Sequence, residues 1–196
     1  MSRKKKPTRT RILSATHRLL EDGNIAATRM SDIAKAAGIS RQALYLHFPN
    51  RAELLVATVR YLDEIHDVEA RLAPSREASD ARTRLSEWIS AWGGYIGEIY
   101  GTAKALMAMQ DTDAEARAAW DDRMQAVRHG CAASVKALVE EGLLTPDLSE
   151  EEATDLLWTI LSVPAWEQLC IRQKWSHERY VSVMQSSAER MLIRSY

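Results

Sequence analysis

Apolar residues recur at three- and four-residue spacing along most of this chain, and that spacing restricts the fold to packed helices. Near the N-terminus, one helical stripe is formed by Ile12, Ala15, Thr16, Leu19 and Leu20. Val, Ile and aromatic residues never alternate with polar residues over the length of a strand, and only five prolines and eight glycines interrupt the 196 residues. The sequence therefore predicts an all-α protein.

Capping residues set the expected helix ends in the N-terminal part. Thr28, Ser40 and Asn50 are suitable N-caps for a second, a third and a fourth helix. We expect the fourth helix to reach about Ala70 and to be followed by a loop over residues 72–79. The first four expected helices cover about residues 8–22, 29–37, 41–48 and 51–70.

Further helix ends are expected in the C-terminal part. Thr112 and Ser149 each begin a capping box, in which a hydroxyl residue is followed three positions later by glutamate. Gly93-Gly94 is expected to interrupt or kink a helix, Pro164 to kink another and Gly142 to end a third. The remaining expected helices cover about residues 80–92, 95–110, 113–141, 150–171 and 177–193, and Ser176 is the expected N-cap of the last one.

Charge is divided unevenly along the chain. The whole chain has 26 Lys and Arg against 27 Asp and Glu, a net charge of −1. Residues 1–60 hold twelve of these bases and four acids, a balance of +8, whereas residues 61–196 hold the other 14 bases and 23 acids, a balance of −9. Such asymmetry indicates that the basic part contacts nucleic acid or a membrane.

Composition and motifs exclude several classes of protein. Two cysteines, Cys131 and Cys170, are too few for a disulfide scaffold or a cysteine-rich metal module. No uncharged apolar run approaches the roughly 18 residues of a membrane span, and no signal-peptide core follows the basic N-terminus, so we expect a soluble, cytoplasmic protein. Asp63 and His66 have the spacing of a metal-ligand pair, but no second copy completes a di-iron site. Catalytic motifs are absent, and we expect no enzyme activity, metal or cofactor.

The first 48 residues have the organisation of a helix-turn-helix unit. Three short expected helices fill residues 8–48, and Gly38-Ile39 joins the second to the third by a tight turn. The third helix of such a unit enters the DNA major groove, which is about 12 Å wide. A basic arm at residues 3–6 precedes the unit. It either contacts phosphates or the minor groove of DNA, or it is a disordered tail that aids solubility.

Two stretches of this unit resemble a known family. Residues 33–40 are Ile-Ala-Lys-Ala-Ala-Gly-Ile-Ser, and residues 43–55 are Ala-Leu-Tyr-Leu-His-Phe-Pro-Asn-Arg-Ala-Glu-Leu-Leu. They are similar to the DNA-binding domain of the tetracycline-repressor (TetR) family, whose pattern is I-A-x-x-A-G-V-S, then L-Y-x-H-F, a basic residue and E-x-L. The resemblance implies a homodimer with a DNA-binding domain over residues 1–55 and a helical ligand-binding and dimerisation domain over residues 56–196.

The resemblance also implies DNA contacts. Tyr45 and His47 fall where the family's tyrosine and histidine touch phosphate, and Arg51 falls where a lysine usually does. Arg41 and Gln42 fall among the residues that read bases. Arginine can bind guanine bidentately, and glutamine can bind adenine in the same way. A solvated or packing role is the alternative for each. The full candidate set is Thr28, Arg29, Ser31, Ser40, Arg41, Gln42, Ala43, Tyr45, His47 and Arg51.

Ser31 and Ala43 differ from the arginines of this set in their chemistry toward DNA. Ser31 departs from the family's pattern, because many relatives have arginine there, and Arg29 is placed to compensate through phosphate. Ala43 either contacts a thymine methyl group or provides clearance.

Aromatic and sulfur-containing side chains are concentrated in the C-terminal part. They suit a cavity for a small apolar or aromatic effector, with ordinary core packing as the alternative. The candidate lining residues are Trp88, Trp92, Tyr95, Met107, Trp120, Met124, Trp158 and Trp166. Glu98, Gln110 and His129 are candidate polar contacts.

The last two expected helices, at residues 150–171 and 177–193, hold more large apolar residues than one buried stripe needs. With the resemblance, this predicts a two-fold dimer interface. A dimer whose recognition helices are spaced by about 34–36 Å reads a palindrome. The expected function is a DNA-binding transcriptional regulator, a repressor relieved by ligand. The alternative is an all-α ligand-binding protein or enzyme whose basic N-terminal segment is incidental.

Overall fold

A computed structural model describes residues 7–22 and 29–194 of the chain. Within these ranges the regular structure is helical apart from one isolated bridge between Leu144 and Ile193, which confirms the expected all-α fold. In the described part of the chain, no helix combines the length and apolar character needed to cross a bilayer.

The helices are α1 (Thr8–Glu21), α2 (Met30–Ala37), α3 (Arg41–His47), α4 (Arg51–Ile65), α5 (Val68–Arg76), α6 (Ala81–Met109), α7 (Ala114–Glu140), α8 (Glu150–Ile160), α9 (Val163–Trp166), which continues as a π-helical segment (Glu167–Arg172), and α10 (His177–Leu192).

The structure divides into two compact units. The first comprises the chain up to His66 together with Ile99–Arg123, and the second comprises Asp67–Glu98 and the chain from Met124 onward. Their boundaries fall inside α6 and α7. The expected functional boundary between residues 55 and 56 falls inside α4 and stays a prediction.

The turn between α2 and α3 is fixed by the backbone and by one arginine. Gly38 ends α2 in the left-handed conformation, with φ 65°, which favours glycine because it has no Cβ. The Ile39 amide donates to the Ala34 carbonyl at 3.0 Å. From α1, Arg11 donates to the Ala37 carbonyl at 2.6 Å, so three helices are joined at this turn.

The expected caps of α3 and α4 are confirmed. The Ser40 hydroxyl accepts a hydrogen bond from the Ala43 amide at 3.1 Å. The Asn50 side chain accepts one from the Glu53 amide at 2.8 Å. Each cap satisfies an amide that the first helical turn leaves without a partner.

The core of the helix-turn-helix unit is apolar and drawn from four helices. Leu44 of α3 is fully buried, and Phe48 directly after α3 is 3% exposed. Their burial fixes which side of α3 faces outward. The cluster consists of Ile12, Leu13, Ala15, Met30, Ile33, Ala34, Ala37, Leu44, Phe48 and Leu54.

The expected start of α2 is wrong by one residue. Thr28, the expected N-cap, lies outside the described residues, and the N-cap position of α2 is Arg29. The Arg29 carbonyl accepts from the amides of Asp32 and Ile33, both at 3.0 Å, so the first turn closes on residue 29.

The expected continuation of α4 to Ala70 is also wrong. α4 ends at Ile65, and Asp67 adopts a left-handed conformation with φ 50° before α5 begins. Residues 72–76 of the expected loop belong to α5, which contains Pro74 although proline has no N–H to donate to the Ala70 carbonyl. The connection to α6 is only residues 77–80.

Two expected breakers behave differently from prediction. α6 runs without interruption through Gly93, where an added Cβ would lie 3.3 Å from the Tyr180 ring, so the glycine permits close packing. Pro164 does not kink a continuing helix, because α8 has already ended. The Ser162 side chain instead accepts from an amide of α9, whose first turn holds the proline.

Three caps were expected in the C-terminal part, and one is wrong. Asp113, rather than Thr112, caps α7, since its Oδ1 atom accepts from the Ala116 amide at 3.1 Å. Asp is the stronger cap in this register. The capping box at Ser149 and the cap at Ser176 are confirmed.

Candidate nucleic-acid interface

Helix α3 has one side in the core and the opposite side in solvent. Leu44 anchors the inner side, and Ser40 holds the N-terminal end in place. The exposed side chains of α3, which we call the reader face, are Arg41, Gln42, Tyr45, Leu46 and His47. A rigid helix that exposes this set can place donors, acceptors and cations against a nucleic acid.

Arg41 and Tyr45 form a pair one helical turn apart on the reader face. Arg41 donates from Nη2 to the Tyr45 hydroxyl at 3.3 Å, and its guanidinium lies 5.5 Å from the centre of the tyrosine ring. The hydrogen bond raises the pKa of Arg41. The pair restricts the orientation of a side chain expected to read bases.

A concave groove of about 490 Å³ lies beside α3 and contains three arginines. Arg29, Arg41 and Arg51 contribute the positive charge, and the N-terminus of α4 adds its amides and helix dipole. Glu115 also lines the groove and offsets part of that charge. The lining residues are Arg29, Met30, Ser31, Arg41, Tyr45, Pro49, Asn50, Arg51 and Glu115.

Arg51 is bound to carboxylates within the first unit. Its Nη1 atom lies 2.6 Å from Asp113 Oδ2 and 3.4 Å from Glu115 Oε2, and its side chain is 14% exposed. Burial acts to raise the pKa of Asp113, but amide hydrogen bonds, chiefly from Ala116, and the Arg51 guanidinium together lower it. The expected phosphate contact of Arg51 stays a prediction, and these carboxylates would compete with it.

The other expected DNA contacts vary in exposure. Arg29, Ser31 and Ser40 are exposed, whereas Ala43 is half-buried. Ser40 is also occupied as the N-cap of α3. Thr28 and the basic arm at residues 3–6 lie outside the described residues.

Sequence reasoning missed two features of this unit. Leu46 is 88% exposed in the middle of the reader face, and its place one turn after Gln42 was the signal that could have found it. His17 of α1 makes a 3.1 Å hydrogen bond to Thr102 of α6, and its Nε2 atom lies 3.2 Å from Glu21 Oε2. The sequence gives no signal for the His17 contact, since 85 residues separate its partners.

The eight candidate effector residues do not all fall in one unit. Met107 and Trp120 lie in the first unit, where Trp120 packs against a buried cluster that includes Leu106. The other six belong to the second unit, where Trp158 is half-buried and the rest are buried. Their role in effector binding stays a prediction.

Several of these aromatic side chains have packing partners in the second unit. Trp92 donates from Nε1 to the Leu161 carbonyl at 2.8 Å and meets Tyr95 edge-on, with ring centroids 6.2 Å apart. Trp88 lies against Gly130, where an added Cβ would be 2.1 Å from the indole. Burial raises the pKa of the neighbouring Cys131 thiol to about 12, which makes it a poor nucleophile.

The expected polar contacts of the effector have protein partners. Glu98 accepts from Arg71 at 2.7 Å within the second unit, and the Gln125 amide lies 3.1 Å from His129. The main-chain carbonyl of Gln110 accepts from Arg117 at 2.9 Å in the first unit, and the expected contact of the Gln110 side chain stays a prediction.

Two grooves of the second unit are lined by other residues than the eight candidates. One, of about 530 Å³, lies between the Thr145–Leu148 segment and the end of α10. The other, of about 380 Å³, lies between the first turns of α6 and the C-terminal half of α10.

No group of three potential metal ligands occurs among the residues that the structure describes. Asp63, one of the two residues with metal-ligand spacing, instead accepts a hydrogen bond from Arg123 at 2.6 Å.

Comparison with known proteins identifies the helix-turn-helix unit. A family model described as bacterial regulatory proteins, tetR family, matches residues 12–58. The HTH-type transcriptional regulator TtgR of Pseudomonas putida is 41% identical over 73 residues, which are 37% of this chain and 35% of TtgR. The chain thus matches about a third of the length of this relative. CymR of Pseudomonas putida, also an HTH-type transcriptional regulator, is 27% identical over 93% of this chain and 88% of its own length.

Solved structures share the fold over nearly the whole chain. A protein described as a TetR-family transcriptional regulator from Rhodococcus sp. superposes with a TM-score of 0.74 at 20% identity, covering 94% of this chain and 98% of its own. Residues 12–58, which contain the helix-turn-helix unit, thus match the tetR family of bacterial regulatory proteins, and the chain as a whole shares the fold of these solved structures.

Proposed function

We propose that this protein is a transcriptional regulator that binds a palindromic DNA operator as a homodimer and is released from it by a small apolar or aromatic molecule. Occupation of the operator would exclude RNA polymerase, so the regulator acts as a repressor. Because its partner is chromosomal DNA, we place the protein in the cytoplasm.

The reader face is the observation that carries this proposal. Leu44 and Ser40 fix α3 in its unit, and five side chains of the helix are left in solvent beside a groove with three arginines. Cations on such a face neutralise phosphates, and polar side chains on a helix in the major groove distinguish bases. The names of TtgR and CymR, each an HTH-type transcriptional regulator, agree with it.

Homodimerisation is proposed through residues 150–171 and 177–193. Leu156 of α8 is 38% exposed and Ile171 of the π-helical segment is 48% exposed, and both offer apolar surface to a second copy. Light scattering of the purified protein tests the state of assembly. A monomer that still binds a single half-site with full affinity would contradict the dimer.

Effector binding is proposed within the second unit, next to its buried aromatic side chains. The indole Nε1 of Trp88 and the hydroxyl of Tyr180 are buried without a hydrogen-bond partner among the residues described, apart from a weak contact of Trp88 with the Cys131 sulfur. Such polar groups could orient an otherwise apolar ligand. Thermal-shift screening tests this, because a ligand at 100 times its Kd adds about 2.7 kcal/mol to the free energy of unfolding.

The direct test of DNA binding is electrophoretic mobility shift with DNA upstream of the protein's own gene. We expect binding to a palindrome that competes with non-specific DNA and weakens steeply with salt. Binding without sequence preference, or no binding at low salt, would contradict the proposed function.

A further inference from the structure

We propose that Leu46 reads the operator by contacting the C5-methyl group of a thymine, one or two base pairs from the base that Gln42 reads. This inference rests on the proposed function, because it requires α3 to enter the major groove. Leu46 then contributes to sequence specificity and not only to general affinity.

The exposure of Leu46 is the first observation. Its side chain is 88% exposed, whereas Leu44, two residues earlier on the same helix, is fully buried. Other exposed large apolar side chains among the described residues range from Leu156 at 38% to Ile65 at 50%. A single exposed leucine is ordinary on a protein surface, but this one lies between Tyr45 and His47 on the reader face.

The second observation is the register of Leu46 on α3. Arg41 and Tyr45 form one row of the helix surface, and Gln42 and Leu46 form the next. Side chains four residues apart on a helix have Cβ atoms about 5–6 Å apart. Base pairs along DNA are about 3.4 Å apart, so these two side chains span one to two base-pair steps.

The chemistry of leucine then selects the base. In the major groove, thymine presents a methyl group beside its O4 acceptor, whereas the other bases present only polar groups at their edges. Leu46 has no donor or acceptor, so placing it against those polar edges would remove water without replacing its hydrogen bonds. Contact with a methyl group removes apolar surface on both sides from water.

Charge complementarity favours DNA over a protein partner at this surface. The reader face contains no carboxylate, and Arg29 and Arg41 line the adjoining groove. Glu115 at the edge of the groove is opposed by Arg51 at 3.4 Å. An apolar side chain surrounded by cations and hydrogen-bonding groups fits a major groove flanked by phosphates.

The experiment combines variants of the protein with variants of the DNA. Operator duplexes are first selected from a random double-stranded library with the full-length protein. Each symmetry-related pair of thymidines is then replaced by deoxyuridine, which removes the methyl group and keeps the hydrogen-bonding edge. Kd is measured for the wild type, Leu46→Ala and the matched control Ile65→Ala, which truncates another exposed apolar side chain of the same unit.

We expect one thymidine pair at which deoxyuridine weakens wild-type binding by about fourfold for each half-site, the value of one buried methyl group. Leu46→Ala should bind the thymine duplex more weakly and lose the sensitivity to deoxyuridine at that pair alone. Ile65→Ala should keep it. Circular dichroism should show an unchanged fold, since Leu46 is exposed.

Two results would overturn the inference. If Leu46→Ala and deoxyuridine weaken binding additively at every thymidine, the side chain does not touch a methyl group. If Leu46→Ala weakens selected and random duplexes equally, it contacts only the sugar–phosphate backbone or another molecule. Selection of no sequence by the wild type would instead contradict DNA recognition itself, which separates failure of the proposed function from failure of this inference.

Discussion

Arg51 of α4 donates a 2.6 Å hydrogen bond to Asp113, the residue that caps α7. Both belong to the first unit, so the start of α4 is tied to the loop that connects α6 to α7. The guanidinium that the resemblance assigns to a DNA phosphate is thus already neutralised by a carboxylate. The ion pair with Asp113 therefore competes with the proposed phosphate contact of Arg51.

We expect Asp113→Asn to tighten DNA binding by about fivefold or more, because this pair is less exposed than the surface ion pairs for which about 0.2–1 kcal/mol is typical. Asparagine keeps the capping hydrogen bonds of α7 and removes only the negative charge. The dependence of affinity on salt should become steeper, because more of the Arg51 charge is available to phosphate. Titration of a fluorescent operator at several salt concentrations measures both quantities.

Asp122→Asn is the matched control for this substitution. It also removes one acid from the first unit, and it thereby breaks the 3.0 Å ion pair with Arg60. Weaker binding by Asp113→Asn than by this control would show that the carboxylate positions Arg51. Arg51→Ala should weaken selected and random duplexes alike and reduce the salt slope by about one.

Arg41→Ala should relax base specificity at one operator position, at a cost of about 1–3 kcal/mol. Arg41→Lys should restore it only in part, because an ammonium group lacks the rigid planar pair of donors that a guanidinium presents to guanine. Tyr45→Phe keeps the ring under the guanidinium and removes the 3.3 Å hydrogen bond. It also removes the hydroxyl expected at a phosphate, so only a loss of base discrimination, and not a uniform loss of affinity, reports on the orientation of Arg41. Relative affinities for a set of single-position operator variants measure the effect. An equal loss for every base at that position would assign Arg41 to phosphate.

Gly130→Ala should destabilise the protein, although alanine is the better helix former. The added Cβ would lie 2.1 Å from the Trp88 indole, and overpacking of this kind costs about 1–3 kcal/mol. Gly94→Ala is the control, because its Cβ would lie 3.6 Å from His177, an ordinary contact, and it should stabilise α6 by up to about 1 kcal/mol. Thermal unfolding of both variants measures the difference in sign, and a stabilised Gly130→Ala would contradict the packing.

Stability should fall as the pH is lowered through the usual range of histidine, because of His17. Burial is the main cause that lowers its pKa from the ordinary 6.5; Glu21 acts in the opposite direction, and His66 and Arg18 act with burial. The folded protein then binds fewer protons than the unfolded chain, so the free energy of unfolding is full above pH 6.5 and decreases as the pH falls towards the lowered folded value.

His17→Asn tests this titration, since asparagine places an amide nitrogen near the position of Nδ1, beside Thr102. Urea unfolding between pH 8 and pH 5 should show a smaller pH dependence for the variant than for the wild type. Equal slopes would mean that His17 keeps its ordinary pKa in the folded protein.

Local sequence signals predicted most of the helix ends that depend on neighbouring residues. Ser40, Ser149 and Ser176 cap helices where expected, because a cap needs only a hydroxyl and an amide three residues on. The signals failed where packing intervened. Gly93 continues α6 because the Tyr180 ring occupies the space of a side chain.

By itself, the sequence determined that this protein is helical and where its helix-turn-helix unit lies. It also gave the residues of α3 that are candidates for contact with DNA. These properties follow from periodicity and short-range motifs, which a linear chain displays directly. Only the tertiary structure decided that Arg51 is held by Asp113 and that Trp120 packs in the first unit. Such facts depend on contacts between residues far apart in the chain, and no local pattern of residue types encodes them.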